Sequence, residues 1–285
     1  MLIAVTGGAG RVARALVPML IADGYDVRTL DISPVDTRGR WEHIAGDLRD
    51  LETVRHVVSG ADVVLHTGAI GGDIPGQADR VLSTNVQGTW NVLIAAIEAG
   101  VPRVVHFSSV AALGCFGGMA PAVRLPIEDT YPKHPPHAYG LSKHLGEELC
   151  RSFTLDHGIV TISLRAALIT GPSWYARWRV EPGAADGALW HNYWAYVDER
   201  DVCSATLRAM HAPNITHDRF LLAAADTCSP RTTEELVAER FPGTPWPLVD
   251  RAAYLQGRRF RSLVDCDHAA RVLGWRPQHS WRDDE

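Results

Sequence analysis

Leu2-Ile3-Ala4-Val5-Thr6-Gly7-Gly8-Ala9-Gly10-Arg11-Val12-Ala13 is the stretch that decides the fold. It opens as a short apolar run suited to a buried strand, turns on glycines, and continues from Arg11 to Ala22 with Val12, Leu16, Met19 and Leu20 at helical spacing. Strand, glycine turn and helix in that order are the setting of a dinucleotide-binding loop. Gly7 and Gly10 let bare backbone approach a pyrophosphate. Arg11 and Val12 begin a helix whose free N–H groups and positive dipole end face the same anion. Ala13 stands where the fingerprint's third glycine belongs and is small enough for helix–strand packing.

Further along, Gly24 closes the helix and Tyr25 to Leu30 reads as a second strand finishing at Asp31. A carboxylate about twenty residues past the loop is placed to accept hydrogen bonds from the adenosine ribose and to repel a 2′-phosphate. NAD is therefore the expected cofactor, with Arg28, Arg38 and Arg40 leaving a minor route to NADP. Ile44 to Leu48 reads as a third strand, with Asp47 and Leu48 beside the adenine or, for Asp47, capping the helix from Leu51 to Val58. Ala61 to His66 and Val104 to Phe107 are further strands, separated by a long helix from Asn85 to Ala99. Thr67-Gly68-Ala69 and Ser108-Ser109 follow those strands directly. Strands alternating with helices imply an α/β fold, a Rossmann-type doubly wound parallel sheet with ligands beyond the strands' carboxyl ends.

Tyr139-Gly140-Leu141-Ser142-Lys143 places a phenol and an ammonium on one helical face. A nearby cation favours the phenolate, and a tuned phenol can take a proton from a substrate hydroxyl. Alone, the pair is a weak signal that reads more readily as a surface helix with an amphipathic tyrosine.

The 285 residues suffice for a large core. They divide into a dinucleotide-binding domain, residues 1–170, to which later segments add sheet, and a mostly substrate-binding lobe, residues 171–285. A net charge of −5 and a pI near 6.2 supply no basic footprint for nucleic acid or an anionic membrane surface, so a small molecule is the expected partner. No leader pattern or membrane-spanning apolar run is present, and the expected location is cytoplasmic. Cys115, Cys150, Cys203, Cys228 and Cys266 are scattered without a Cys-x-x-Cys pair, so neither a metal site nor a disulfide framework is expected.

Taken with Gly46-Asp47-Leu48, the Asn85 to Leu93 segment, Ser108-Ser109, Leu164-Arg165, Gly171-Pro172, Val197 to Val202 and Leu273-Gly274-Trp275, these motifs resemble the extended short-chain dehydrogenase/reductase family. That family is also called the NAD-dependent epimerase/dehydratase family. The resemblance implies that Tyr139 exchanges the proton and that Ser109, or less readily Ser108, holds the reacting oxygen. It implies that Lys143 binds the nicotinamide ribose and lowers the tyrosine's pKa, while a hydride passes between the substrate carbon and the nicotinamide. Asn85 would lie near the cofactor, with helix capping as the alternative. Homodimers built on the helices beginning near Gln77 and Tyr139 are also implied.

Val110 and Ala111 stand where the family's dehydratases carry an acidic pair, so elimination is disfavoured. Leu113 replaces a tyrosine of many sugar-nucleotide epimerases. The short segment between Pro172 and Asp198 resembles the uronate dehydrogenase-like members and suggests a small sugar, sugar acid or polyol. His137, Trp174 and Arg177 are candidate substrate ligands alongside Ser109, since aromatic faces suit sugar rings and arginine suits a carboxylate. Packing and solvation are the alternative readings. Arg258, Arg259 and Arg261 form a candidate anion site, and Arg165 reads as a structural charge partner. The expected function is an NAD-dependent oxidoreductase. A sugar or nucleotide-sugar epimerase is the first alternative, and a non-catalytic dinucleotide-binding regulator the second.

Overall fold

The structure, a computed structural model, describes residues 1–118 and 120–283. Strands β1 (Leu2–Thr6), β2 (Asp26–Asp31), β3 (Glu42–Ala45), β4 (Val63–His66), β5 (Arg103–Ser109) and β6 (Val160–Ala166) alternate with helices α1 (Arg11–Ala22), α2 (Leu51–Val58), α3 (Ala78–Leu82), α4 (Gly88–Glu98) and α5 (Ala138–His157). A wider π turn, Ser83–Gln87, joins α3 to α4. Beyond β6 come β7 (Leu168–Thr170), α6 (Pro172–Val180), α7 (Pro182–Leu189), β8 (Tyr196–Asp198), α8 (Glu199–His211) and β9 (His217–Leu222). The chain then finishes with α9 (Thr233–Arg240), α10 (Arg251–Leu255) and α11 (Asp267–Val272).

Seven strands form one parallel sheet in the order β3-β2-β1-β4-β5-β6-β9, and β7 pairs with β8 apart from it. The chain winds outward from β1 through β2 and β3, then returns to the opposite side of β1 as β4. That reversal opens a crevice at the carboxyl ends of β1 and β4, where such sheets bind ligands. Helices cover both faces, which is why β4 is buried at every position instead of alternating. In β1 the period of two still shows: Ile3 and Val5 join one core cluster and Ala4 the other. The cluster containing Ile3 continues into the C-terminal region through Trp194, Tyr196, Trp275 and Trp281.

The structure departs from the sequence reading at several element ends. The third strand stops at Ala45, so Gly46, Asp47 and Leu48 lie in the loop beyond it. The long helix read from Asn85 begins earlier, with α3, and passes through the π turn. The seventh strand, β9, comes from a segment with no strand reading: its first half, His217-Asp218-Arg219, is polar, and only Phe220-Leu221-Leu222 is buried.

Candidate active site

The groove starts at the glycine turn. Gly7 has φ +73, and a Cβ there would sit 2.6 Å from Cα of Gly68, so the turn tolerates only bare backbone. The N–H of Gly10 donates to the Gly7 carbonyl at 2.8 Å, and Gly10 is the N-cap of α1. No side chain caps that helix end, which leaves its N–H groups free for an anion. At the tip of β2, Asp31 accepts the N–H of Ala9 at 3.0 Å through Oδ2 and that of Ser33 at 2.9 Å through Oδ1. Its carboxylate is thereby tied to the glycine loop.

A cavity of about 190 Å³ is lined by Gly7, Gly10, Asp31, Asp47, Leu48 and Arg80 among others. Asp47 pairs with Arg49 at 2.5 Å, and that bond holds its carboxyl below the usual range. Arg80 carried no sequence signal of a site, because it is one polar position on a short helix. Of the arginines that leave room for NADP, Arg28 is tied down elsewhere, while Arg38 and Arg40 are exposed. Arg28 pairs with Glu42 at 2.6 Å and donates to the Ser59 carbonyl at 2.8 Å, Arg38 lies near Asp36, and Arg40 lies over Trp41. This cavity shares Gly10, Thr67 and Ala69 with a larger cleft, so one groove runs from Asp31 to the ends of β5 and β6. A glycine cradle closed to any Cβ, an open helix end and a carboxylate at the far side together fit NAD.

The cleft has a volume of about 610 Å³ and is lined by Arg11, Val12, Ser109, Tyr139 and Lys143 among others. Ser109 is delivered by the end of β5 and Tyr139 and Lys143 by successive turns of α5. Lys143 lies with Nζ 5.9 Å from the centroid of the Tyr139 ring and donates to the Phe107 carbonyl at 2.7 Å. Burial pushes the lysine's pKa down to about 8, with Glu147 pulling it back up. Burial also pushes the Tyr139 phenol up, the Ser109 hydroxyl works against that, and Asp73 adds to the rise. The lowering of the phenol expected from Lys143 is not found: burial sets a net rise, and the ammonium bonds the Phe107 carbonyl.

The two serines part company at the strand end. Ser108 is buried and donates to Glu147 Oε1 at 2.7 Å. Ser109 is half-buried, and its Oγ accepts the N–H of Ala111 at 3.2 Å. Glu147, one turn after Lys143 on α5, receives both Nε and Nη2 of Arg165 at 2.7 Å each. Burial alone would raise the Glu147 carboxyl, but the two bonds from Arg165 hold it below its usual range. Arg165 also donates to the Asp129 carbonyl at 2.9 Å, so it is a structural ion-pair partner beneath the site.

The other candidates lie elsewhere. Asn85 is buried and lines neither cavity: its Oδ1 accepts the Ile70 N–H at 2.8 Å, and its Nδ2 donates to the Ile70 carbonyl at 3.1 Å and the Ser142 hydroxyl at 2.9 Å. It fastens the loop after β4 to α5. His137 is exposed as the N-cap of α5, and Arg177 is exposed on α6. Trp174 packs edge-on against Trp178, with centroids 5.9 Å apart. None of these three lines the cleft. Arg258 and Arg261 border a separate small cavity near α11. Residues that do line the cleft but had no sequence signal are Asp73, Phe116 and Asn192, all in irregular or short segments.

Comparison with known proteins agrees with this geometry. The chain is 33% identical over 184 residues to an Arabidopsis thaliana 3beta-hydroxysteroid-dehydrogenase/decarboxylase isoform 2, covering 59% of this chain and 32% of that protein. It is 30% identical over 162 residues to a uronate dehydrogenase of Pseudomonas syringae pv. tomato, covering 56% of each. The chain thus spans 32% to 56% of the length of these relatives. A crystal structure of a short-chain dehydrogenase/reductase superfamily protein from Agrobacterium tumefaciens with bound NAD superposes with a TM-score of 0.71 at 26% identity, covering 99% of this chain and 94% of that one. The model of the NAD dependent epimerase/dehydratase family matches residues 3–220. That match takes in β1 through most of β9, the glycine cradle and the whole Ser109, Tyr139 and Lys143 cleft, and the protein belongs to this family.

Proposed function

We propose that the protein is an NAD-dependent oxidoreductase acting on a hydroxyl-bearing carbon of a small polar substrate, a sugar, sugar acid or polyol. Gly7, Gly10, Arg11, Val12, Asp31, Asp47 and Leu48 would hold the cofactor along the groove. When bound, NAD supplies the hydride acceptor. Ser109 would hold the substrate hydroxyl by hydrogen bonding, and Tyr139 would take its proton. Lys143, with its pKa near 8, keeps its charge at neutral pH and would favour the phenolate as the proton moves. The observation that carries this reading is the meeting of Ser109, Tyr139 and Lys143 in one cleft continuous with the glycine cradle. The uronate dehydrogenase relative supports a sugar-related substrate.

Val110 and Ala111, which follow Ser109 into the cleft, offer no acid or base, and this speaks against elimination. An epimerase is the second reading, favoured by the family match. Purified protein is tested for NADH appearance with a panel of aldoses, uronates and polyols. NADH formation with any member supports the dehydrogenase reading, and a silent panel counts against it. Sugar inversion with tightly held NAD and no net reduction selects the epimerase.

Residues 1–170 would serve the cofactor and 171–285 mostly the substrate. A homodimer would form through the helices beginning near Gln77 and Tyr139, α3 with α4 and α5, supported by the exposed apolar side chains Trp90 on α4 and Leu145 on α5. Light scattering that finds only monomer would remove it. A cytoplasmic location is proposed from the five scattered cysteines, none in a Cys-x-x-Cys pair, which suit a reducing compartment. Among the described residues no helix is long and apolar enough to cross a membrane.

A further inference from the structure

The cleft holds one negative charge that the proposed chemistry leaves unused. Asp73 lies on the irregular loop between β4 and α3 and lines the cleft. Its Oδ1 accepts the backbone N–H of Tyr139 at 2.9 Å. The N-cap residue of α5, His137, makes no side-chain bond to the helix end, so Asp73 satisfies that end from another segment. A carboxylate is thereby fixed beside the residue that carries the phenol.

The charges around it decide what the cleft can accept. Among the described residues that line it, the charged side chains are Arg11, Asp73 and Lys143. Arg11 stands at the glycine cradle and donates to the Ile169 carbonyl at 2.6 Å. Lys143 is buried and donates to the Phe107 carbonyl. The arginines that would suit a sugar acid are elsewhere: Arg177 is exposed on α6, Arg179 donates to the Trp281 carbonyl at 3.1 Å, and Arg258 and Arg261 border another cavity. The part of the cleft around Tyr139 thus offers a carboxylate acceptor and, beyond the buried Lys143, no cation to pair with an anion. Asp73 stands exposed at the edge of the cleft, where solvent screens its charge, so a like charge is repelled moderately and not shut out.

We infer that Asp73 is a specificity-determining residue that accepts hydroxyls of the substrate and repels anions, so that the substrate is a neutral sugar or polyol and not a uronate or sugar phosphate. This rests on the oxidoreductase reading of the cleft. Asp73→Asn is the discriminating variant, since its amide oxygen can still receive the Tyr139 N–H while the charge is gone.

The test measures kcat/KM with NAD for D-glucose, D-galactose and myo-inositol against D-glucuronate and D-galacturonate. The wild type is expected to prefer the neutral set by about tenfold or more, and Asp73→Asn to remove most of that preference. A wild type that prefers uronates, or a ratio unchanged by the substitution, overturns the inference. Failure of the oxidoreductase reading looks different, with no compound of either kind reducing NAD. Asp73 is then judged by saturation-transfer NMR on the NAD-loaded protein. Signal from neutral sugars and none from uronates, equalised in Asp73→Asn, upholds it. Stronger signal from uronates, equal signal from both sets, or none from either, overturns it.

Discussion

Lys143 donates its Nζ proton to the main-chain oxygen of Phe107 at 2.7 Å, which moors the ammonium to the strand that delivers Ser109. The cleft and the sheet are thereby one construction: β5 sets the serine, and its own backbone holds the lysine beneath the Tyr139 ring. Burying this cation works against folding, and the consequence can be measured.

Lys143→Met should be more stable than the wild type at pH 7 and inactive. The folded pKa of about 8 lies below the ordinary 10.5. Below about pH 8 the protein carries the full penalty of the buried charge, and stability rises with pH between about 8 and 10.5 as the unfolded chain binds the additional proton. The gap corresponds to as much as ~3 kcal/mol. Chemical denaturation at pH 7 and pH 10 checks this: the variant's advantage should shrink at the higher pH, and an advantage that grows contradicts it.

Glu147→Gln should destabilise the fold by ~3–5 kcal/mol, because the only carboxylate then left to buried Arg165 is Asp129, at the longer 3.5 Å. The double substitution Glu147→Met with Arg165→Met should lose less than Glu147→Gln alone. Urea midpoints for the set decide the matter. A double variant that loses as much as Glu147→Gln, or more, would mean that the buried pair is not acting as a unit.

His66 and His106 lie buried with ring centroids 5.7 Å apart. Nδ1 and Nε2 of His66 meet the hydroxyls of Thr6 and Thr89 at 2.7 and 3.0 Å, and Nδ1 of His106 meets Ser163 at 3.2 Å. Burial pushes both pKa values well below 6.5, and Lys143 adds to the shift in each. As pH falls below about 6.5 the unfolded chain takes up protons first, so stability that is complete above that pH declines on acidification. Each histidine contributes a slope of up to ~1.4 kcal/mol per pH unit. Denaturation midpoints between pH 7 and pH 5 should fall less steeply in His106→Asn than in the wild type. An equal slope would assign the acid sensitivity to other groups.

What the sequence made legible follows from where the physical constraints are local. The Gly7 turn, the α1 end and Asp31 are set by backbone requirements within one strand–turn–helix unit, and the same unit stands in the structure. Ser108 and Ser109 are adjacent after a buried strand. What separates them is Glu147, distant in sequence, which takes the Ser108 hydroxyl. Trp174 and Arg177 share a helix with Tyr175 and Trp178, and composition alone could not tell which face turns inward. The buried positions are Tyr175 and Trp178. Asp73 sits in a loop without periodicity, where no pattern marks a cleft residue. The β9 strand was hidden because its polar half borders the sheet edge and breaks the apolar run.

The most direct measurement of the central claim is the turnover and NAD affinity of Tyr139→Phe, which removes one hydroxyl and keeps the ring over Lys143. With a substrate that the wild type oxidises, NADH formation should fall by at least about a thousandfold, in keeping with loss of a general base. NAD affinity, read by fluorescence titration, should stay within about threefold of the wild type, less than ~1 kcal/mol. Turnover that survives the substitution would contradict the account.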